Sequence, residues 1–163
     1  MENKLLNELD GLQVAIEIEK RGHEFYQQAY SQSKKDEHKE LFLLLRDEET
    51  HHMEKFQKVF NKVQQNKSEC EITFDAKTAA YLSALAAGHV FPKAEESAKT
   101  IANLKTIDAI LSVAMQAEKD SILLYDELAD KSKSDEARKI FAALKAEEQQ
   151  HVVKLREMIE AWA

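Results

Sequence analysis

An internal repeat constrains this chain more than any other feature of its sequence. When the sequence is shifted by 99 residues, residues 12–64 align with residues 111–163 without a gap, and sixteen of the 53 aligned pairs are identical. The identities recur at helical spacing and in one shared polar turn, residues 33–37 in the first copy and 132–136 in the second. Each copy therefore predicts a helix, a short turn and a second helix, an αα-hairpin whose apolar faces need a partner.

Hydrophobic periodicity divides the two copies into four helices and predicts an all-α fold. With 3 glycines and 1 proline in 163 residues, the chain has little material for the tight turns of a many-stranded β fold. Two hairpins packed together make a four-helix bundle. The predicted helices cover about residues 5–32, 36–65, 107–131 and 135–161.

The segment between the hairpins is too long for a simple turn. It covers about residues 66–106, and a short capped helix is predicted over about 75–87. A connection of this length permits a crossover between the hairpins in place of a simple up-down-up-down order. We therefore expect a single domain over residues 1–163, with hairpin 1 at about 5–65 and hairpin 2 at about 107–161.

Composition argues against several classes of partner. The formal net charge is −7 at pH 7 without a long basic block, so neither nucleic acid nor an acidic membrane surface is favoured. No apolar run approaches the roughly 20 residues that span a bilayer, and residues 1–8 lack the pattern of a secretory signal. A single cysteine, Cys70, makes no internal disulfide and agrees with a reducing compartment, so we expect a cytoplasmic protein.

A glutamate interrupts the apolar stripe of the first helix in each hairpin. Glu19 occupies this place in the first copy, and Glu118 occupies the equivalent place in the second. A tyrosine follows each glutamate by seven residues, about two helical turns, so Tyr26 and Tyr125 share the face of their carboxylates. Each hairpin therefore directs a carboxylate and a tyrosine toward the core.

The second helix of each hairpin carries Glu-x-x-His within its apolar face. The pairs are Glu49 with His52 and Glu148 with His151. Residues three apart lie on one side of a helix, so each pair presents an oxygen and a nitrogen to one point.

A competing pair stands one residue earlier in the first hairpin. Glu48 and His51 have the same spacing, but their counterparts in the second copy are Glu147 and Gln150. Because this register loses its histidine in the repeat, we prefer the register in which both copies keep the complete pair.

Folding the repeats around an approximate two-fold axis brings six of these side chains to the bundle centre. Four buried carboxylates repel one another and are costly to desolvate, whereas two divalent cations balance their charge. Oxygen-rich sites with one imidazole per metal suit Fe(II) or Mn(II), although ligand softness alone does not exclude Zn(II) or Co(II). The predicted ligands are Glu19, Glu49, His52, Glu118, Glu148 and His151.

These motifs resemble the ferritin-like superfamily and, within it, the rubrerythrin-type di-iron domain. The similarity covers about residues 10–62 and 107–161. The matching stretches are AIEIEKRGHEFY with LFLLLRDEETHH, and AMQAEKDSILLY with IFAALKAEEQQH. The fold implied by the resemblance is a ferritin-like four-helix bundle with a long helical crossover connection.

The resemblance also implies roles for individual residues. The six predicted ligands would bind two iron ions, with Glu49 and Glu148 as bridges. Tyr26 and Tyr125 would be hydrogen-bond partners of the ligands. H2O2 or O2 is the implied substrate, and a homodimer is the implied assembly.

Two departures from the family pattern bear on the reaction. Full-length rubrerythrins carry an appended cysteine-ligated iron domain, which a chain with only Cys70 does not form, so electrons are expected from a separate protein or from fresh Fe(II). Three residues after Glu118 stands Ser121, where rubrerythrins have a further glutamate ligand. Three functions stay open: a peroxidase or ferroxidase with an external electron donor, an iron-binding or storage protein without turnover, and a structural bundle with a vestigial site.

Other residues near these motifs have more than one interpretation. His23, one turn after Glu19, is either an added ligand or proton relay on one side, or a core histidine. Gly22, paired with Ser121, either leaves room for a small oxidant or allows close helix packing. Trp162 is predicted to pack at the end of the bundle. Surface or linker positions are predicted for His38, His51 and His89.

Overall fold

The computed structural model describes residues 5–66, 73–87 and 90–162, and Cys70 and His89 lie outside these ranges. The described helices are α1 (Glu8–Gln32), α2 (Asp36–Gln65), α3 (Ala76–Ala87), α4 (Ser97–Leu104), α5 (Ile107–Lys131) and α6 (Asp135–Ala161), with a 3₁₀ turn at Ala94–Glu96. The all-α prediction is confirmed, and the long helices begin and end within three residues of their predicted bounds.

Side-chain caps explain where the long helices begin. The Asn7 side chain accepts a hydrogen bond from the Asp10 amide, and the Asp10 carboxylate accepts one from the Asn7 amide, so α1 starts at residue 8. Thr106 and Ser134 cap α5 and α6 by accepting hydrogen bonds from backbone amides three residues on. Both α1 and α5 end at a serine of the repeated turn, where the backbone becomes extended.

The short helix α4 is absent from the sequence prediction. Its eight residues make only about two turns, which is shorter than the window over which helical periodicity is recognised in a sequence. Ile101 is buried, and the Gln32 side chain at the end of α1 donates a hydrogen bond to the Ala98 carbonyl over 3.1 Å. Packing against α1 therefore stabilises a helix that so short a sequence does not specify.

Contacts between α1 and α5 show that these two helices run antiparallel. Tyr26 lies beside Glu118, and Tyr125 lies beside Glu19, so a step forward along α1 is a step backward along α5. The pair α2 and α6 is related in the same way. It follows that α2 and α5 are parallel and that the connection containing α3 and α4 crosses the length of the bundle. The four long helices therefore do not follow a simple up-down-up-down order, and the long connection makes the crossover that its length permits.

The core of the bundle is built from the apolar stripes of the repeat. Leu12 and its counterpart Leu111 are fully buried, as are Leu45 and its counterpart Leu144. Each fully buried side chain of this size contributes about 1.5–3 kcal/mol, so the paired stripes hold the hairpins together. None of the helices in the described ranges combines the length and apolar character that a membrane crossing requires.

An aromatic contact at one end of the bundle corrects one prediction. His38, expected at the surface or in a linker, is only 8% exposed because the Trp162 ring covers it, with ring centroids 4.2 Å apart. Desolvation by burial lowers the pKa of the His38 imidazole. Trp162 thus packs at the bundle end as predicted, whereas His38 is buried.

Candidate metal centre

The structure brings all six predicted ligand residues together inside the bundle. Their side chains are almost completely buried, with 1% of each glutamate and 2% of each histidine exposed. They form two groups, and within each group one potential ligand atom per residue lies within 4.8 Å of the others. The first group is Glu19, Glu49, His52 and Glu148, and the second is Glu49, Glu118, Glu148 and His151.

Glu49 and Glu148 belong to both groups, the arrangement that carboxylates shared between two cations require. The helices α1 and α5 contribute one glutamate each, and α2 and α6 contribute one Glu-x-x-His pair each. A three-residue step keeps the glutamate and the histidine on the core face of one helix. The repeat therefore builds a nearly symmetric cluster from four helices.

Both imidazole rings direct Nδ1 into the cluster. His52 Nδ1 lies 3.0 Å from Oε1 of Glu148 and 3.4 Å from Oε2 of Glu19. His151 Nδ1 lies 2.8 Å from Oε2 of Glu148 and 3.2 Å from Oε1 of Glu118. The two rings are nearly parallel, with centroids 5.4 Å apart. Nδ1 is therefore the nitrogen that each histidine offers to a metal.

The outer nitrogen of each histidine is held by a glutamate to which the sequence analysis gives no role. His52 Nε2 lies 2.6 Å from Oε2 of Glu147, and His151 Nε2 lies 2.5 Å from Oε2 of Glu48. Both contacts cross from one hairpin to the other. A metal-binding histidine commonly donates its second N–H to a carboxylate, which fixes the ring and its tautomer. The sequence signal for Glu48 and Glu147 is their identity at equivalent repeat positions.

Both tyrosines donate hydrogen bonds to predicted ligands, each on the opposite hairpin. The Tyr26 hydroxyl donates to Oε1 of Glu118 over 2.6 Å, and the Tyr125 hydroxyl donates to Oε1 of Glu19 over 2.7 Å. Along one helix, seven residues separate a tyrosine from its own glutamate by about 10 Å, which is beyond hydrogen-bonding reach. The antiparallel packing of α1 and α5 creates these contacts instead.

The pKa values divide the four carboxylates into two pairs. Desolvation and the charge of Glu148 raise the pKa of Glu49 well above its usual value. Desolvation and the charge of Glu118 do the same to the pKa of Glu148. Desolvation also tends to raise the pKa of Glu118, but the charge of His151 and several hydrogen bonds outweigh this effect and lower the pKa to about 2. Hydrogen bonds likewise outweigh desolvation at Glu19 and lower its pKa.

The surrounding carboxylates keep both histidines charged. Desolvation tends to lower the pKa of His52, but hydrogen bonds and charges from Glu148 and Glu19 outweigh this effect and raise the pKa to about 10. At His151, desolvation is outweighed first by the charge of Glu118, and the pKa is raised as well. Desolvation and nearby carboxylates raise the pKa of both tyrosines, so their hydroxyls stay protonated as donors. Inside the cluster, the two charged histidines therefore lie beside Glu19 and Glu118, the two ligand candidates whose pKa values are lowered.

Some carboxylate oxygens of the cluster are buried and accept no hydrogen bond of good geometry. Within the described part of the chain, these atoms are Glu19 Oε2, Glu49 Oε1 and Glu148 Oε2, although His151 Nδ1 approaches Glu148 Oε2 to 2.8 Å. Leaving a buried acceptor unsatisfied costs about 1–3 kcal/mol, a cost that a coordinated cation removes. Four carboxylates and two imidazoles form a donor set that fits Fe(II) or Mn(II). The residues present therefore fit a pair of divalent cations.

A cavity of about 610 Å³ lies over the two histidines, between α2 and α6. Its rim is charged: Lys55 Nζ lies 3.0 Å from Oε1 of Glu147, and Lys154 is the repeat counterpart of Lys55. A hydrogen bond from His151 lowers the pKa of Glu48 at the same rim. The side chain of His51 is 68% exposed there, so His51 is a surface residue as predicted.

The remaining residues near the motifs differ in their surroundings. His23 is half-buried and belongs to neither of the groups found among the described residues. The space beside Gly22 is filled, because a Cβ atom there would lie 2.9 Å from Cε2 of Phe91 and 3.3 Å from Oε2 of Glu49. The Ser121 hydroxyl donates to the backbone of its own helix over 3.0 Å. Gly22 therefore allows close packing, and Phe91 occupies the room that it leaves.

Comparisons with known proteins agree with this geometry. The rubrerythrin family model matches residues 10–159. A solved structure from Thermotoga maritima, described as a candidate ferritin-like diiron-carboxylate protein, shares 30% sequence identity and a TM-score of 0.75, covering 98% of this chain and 99% of that chain. Among curated proteins, none matches the sequence.

The chain belongs to the rubrerythrin family and has the ferritin-like fold. The resemblance drawn from the repeated motifs is thereby confirmed. Family, fold and the buried Glu/His cluster are together consistent with a di-iron protein.

The raised pKa values predict that metal-free protein loses stability as the pH rises above neutrality. A histidine that binds its proton more tightly when folded stabilises the protein only while that proton is bound. For His52 this stabilisation is complete below about pH 6.5 and is lost as the pH passes about 10. We expect the melting temperature of chelator-treated protein, followed by circular dichroism, to fall across this range.

Two variants make this test specific. His52→Gln removes one of the two buried histidines with a raised pKa and should make the dependence of melting temperature on pH shallower. His51→Gln changes an exposed neighbour and should leave the dependence as in the wild type. A melting temperature that rises or stays constant in wild-type protein between pH 6.5 and pH 10 would contradict the electrostatic description.

Removing either outer glutamate should weaken metal binding. Glu48→Ala and Glu147→Ala each leave one histidine Nε2 without its acceptor, and losses of this kind typically lower metal affinity by about 10–100-fold. Titration with Mn(II) under calorimetry measures the change. Glu54→Ala, at the exposed rim of the same cavity, is the matched control and should bind Mn(II) as tightly as the wild type. Equal affinities in all three variants would show that the outer glutamates do not position the histidines.

Proposed function

We propose that this protein is a redox-active di-iron protein that reacts with H2O2 or O2, as a peroxidase or a ferroxidase. The observation that carries the proposal is the pair of four-residue groups that share Glu49 and Glu148. Two cations held by common carboxylates can act together on one small molecule. Membership of the rubrerythrin family and similarity to a candidate diiron-carboxylate structure support this class of function.

Each proposed metal position has its own glutamate and histidine. Glu19 and His52 would bind one ion, and Glu118 and His151 would bind the other. The two carboxylates common to both groups would bind both ions. Two ferrous ions, when bound, supply two electrons, which is the number that reduces one H2O2 to water.

The side chains around the ligands hold them in place and keep protons available. Tyr26 and Tyr125 orient Glu118 and Glu19 through short hydrogen bonds, and their raised pKa values keep them as donors. The outer glutamates hold the histidine rings so that Nδ1 faces the cluster. Burial excludes bulk water, which strengthens every electrostatic contact among these groups.

We propose that reducing equivalents come from a separate electron-donor protein or from fresh Fe(II). A four-thiolate electron-transfer site needs four cysteines, and the sequence has only Cys70. If the iron is reduced again in place, the protein is a peroxidase. If ferric iron leaves the site, it is a ferroxidase. We further propose that the protein is a cytoplasmic homodimer and that it binds neither nucleic acid nor a membrane.

Anaerobic loading with Fe(II), followed by stopped-flow mixing with H2O2 or with O2, tests the proposed function. We expect about two irons per chain, because each four-residue group provides one position. Much faster oxidation by H2O2 indicates a peroxidase, and comparable or faster oxidation by O2 indicates a ferroxidase. Iron cores far larger than two ions would favour storage without turnover.

A matched pair of variants connects the result to the cluster. Glu49→Gln changes a carboxylate shared by both groups and should prevent loading of the second iron. Asp47→Asn changes an exposed carboxylate on the same helix and should load iron as the wild type does. Wild-type protein that fails to load about two irons would refute the di-iron assignment.

A further inference from the structure

The two halves of the site are not equivalent on the side formed by α1 and α5. Gly22 on α1 corresponds to Ser121 on α5, so the two halves differ in side-chain bulk. Phe91 packs against Gly22 from the connection between the hairpins, a segment without a counterpart in the repeat. The two halves of the site are therefore covered differently on this side.

The Phe91 ring lies close to one of the shared carboxylates. The residue is 3% exposed, and its ring centroid lies 5.4 Å from that of Phe25 and 5.5 Å from that of Tyr26. A Cβ atom on Gly22 would lie 2.9 Å from Cε2 of Phe91 and 3.3 Å from Oε2 of Glu49. The space between the ring edge and the carboxylate is thus too small for one further atom unless the ring or the carboxylate moves.

Phe91 also lines a pocket of about 400 Å³ next to α5. Four of its six lining residues, Val90, Phe91, Pro92 and Val113, are apolar, and the other two are Glu96 and Gln116. An apolar wall favours a small neutral molecule over an ion, because an ion loses more hydration there. The cavity over α2 and α6, in contrast, is lined by lysines, glutamates and histidines. The two openings therefore suit different classes of solute.

The two openings also approach different sides of the cluster. Both histidines come from α2 and α6, and their outer glutamates occupy that side as well. On the side of α1, Gly22 contributes no side chain, and the Phe91 ring fills the gap. Besides Phe91, the side chain nearest to the open position at Gly22 is that of Glu49.

We propose that Phe91 controls the entry of a small neutral oxidant, O2 or H2O2, from the apolar pocket to the metal centre. The inference rests on the proposed function, since it assigns a route to the substrate of that reaction. Phe91 acts as a steric filter: its ring edge lies 2.9 Å from where a Cβ atom on Gly22 would stand, so a molecule passes beside Gly22 only when the ring moves. A smaller side chain at position 91 widens the path and speeds entry.

Nitric oxide tests the route without turnover, because it is a neutral diatomic molecule that binds ferrous iron. Its association with anaerobically Fe(II)-loaded protein is followed by stopped-flow absorbance in the wild type, Phe91→Leu and Phe91→Ala. We expect association to accelerate by roughly tenfold in Phe91→Ala and by less in Phe91→Leu, with unchanged iron content. The leucine variant keeps most of the buried volume and serves as the test if the alanine variant does not fold.

Phe56→Leu is the matched control. Phe56 is fully buried and packs edge-on against Tyr125 with centroids 5.2 Å apart, much as Phe91 packs against Tyr26. It lines neither the apolar pocket nor the space beside Gly22. Its nitric oxide association rate should equal that of the wild type, which separates loss of the route from loss of an aromatic contact.

The outcomes distinguish this inference from the proposed function. Wild-type protein that loads iron and reacts with an oxidant, but whose nitric oxide association is unchanged in both Phe91 variants, would overturn the route and leave the function standing. Protein that does not load iron would overturn both. Parallel runs with each oxidant identify what the route carries: acceleration with O2 alone assigns it to dioxygen, and acceleration with H2O2 alone assigns it to peroxide.

Discussion

Four carboxylates are buried together in this bundle, and burying them costs free energy. The surrounding side chains offset part of that cost. Ionised carboxylates away from water repel one another, so each needs a hydrogen-bond donor, a proton or a cation. Tyrosine hydroxyls donate to Glu118 and Glu19, and Nδ1 of both histidines faces carboxylate oxygens. Oxygens that accept no hydrogen bond of good geometry, such as Glu49 Oε1, are ones that a cation would satisfy. Divalent cations would therefore replace protons in the cluster, which couples metal binding to pH.

The duplicated hairpin places this cluster by using one set of helix contacts twice. Each copy contributes a glutamate, a Glu-x-x-His pair, a tyrosine and an outer glutamate. The bonds made by the tyrosine and by the outer glutamate reach the other hairpin, so neither hairpin completes its half of the site alone. The symmetry ends on the side of α1, where Gly22 stands in place of a bulkier residue and Phe91 enters from the connection. That asymmetry gives the two sides of the cluster different access to solutes.

The sequence predicts the long helices, the crossover and the convergence of the six candidate ligands. Helical spacing determines which face of a helix each residue lies on, and the repeat shows each spacing twice. Contacts between side chains on different helices could not be predicted in this way. Glu48 has its partner on α6, and both tyrosines bind the opposite hairpin, so spacing along one helix does not reveal them. The sequence around His38 is typical of a polar surface position. In the structure, Trp162 covers His38 from a place far along the chain. Phe91 and α4 lie in the connection, where no second copy exists for comparison. That the six residues bind metal stays a prediction.

Anomalous diffraction from crystals loaded with Fe(II) or Mn(II) would locate the metal positions directly. Sharing of Glu49 and Glu148 by both groups predicts two anomalous peaks per chain, each next to both of these carboxylates. One peak should also adjoin Glu19 and His52, and the other should adjoin Glu118 and His151. A single peak, or peaks confined to the charged cavity outside the cluster, would contradict a di-metal centre built on shared glutamates.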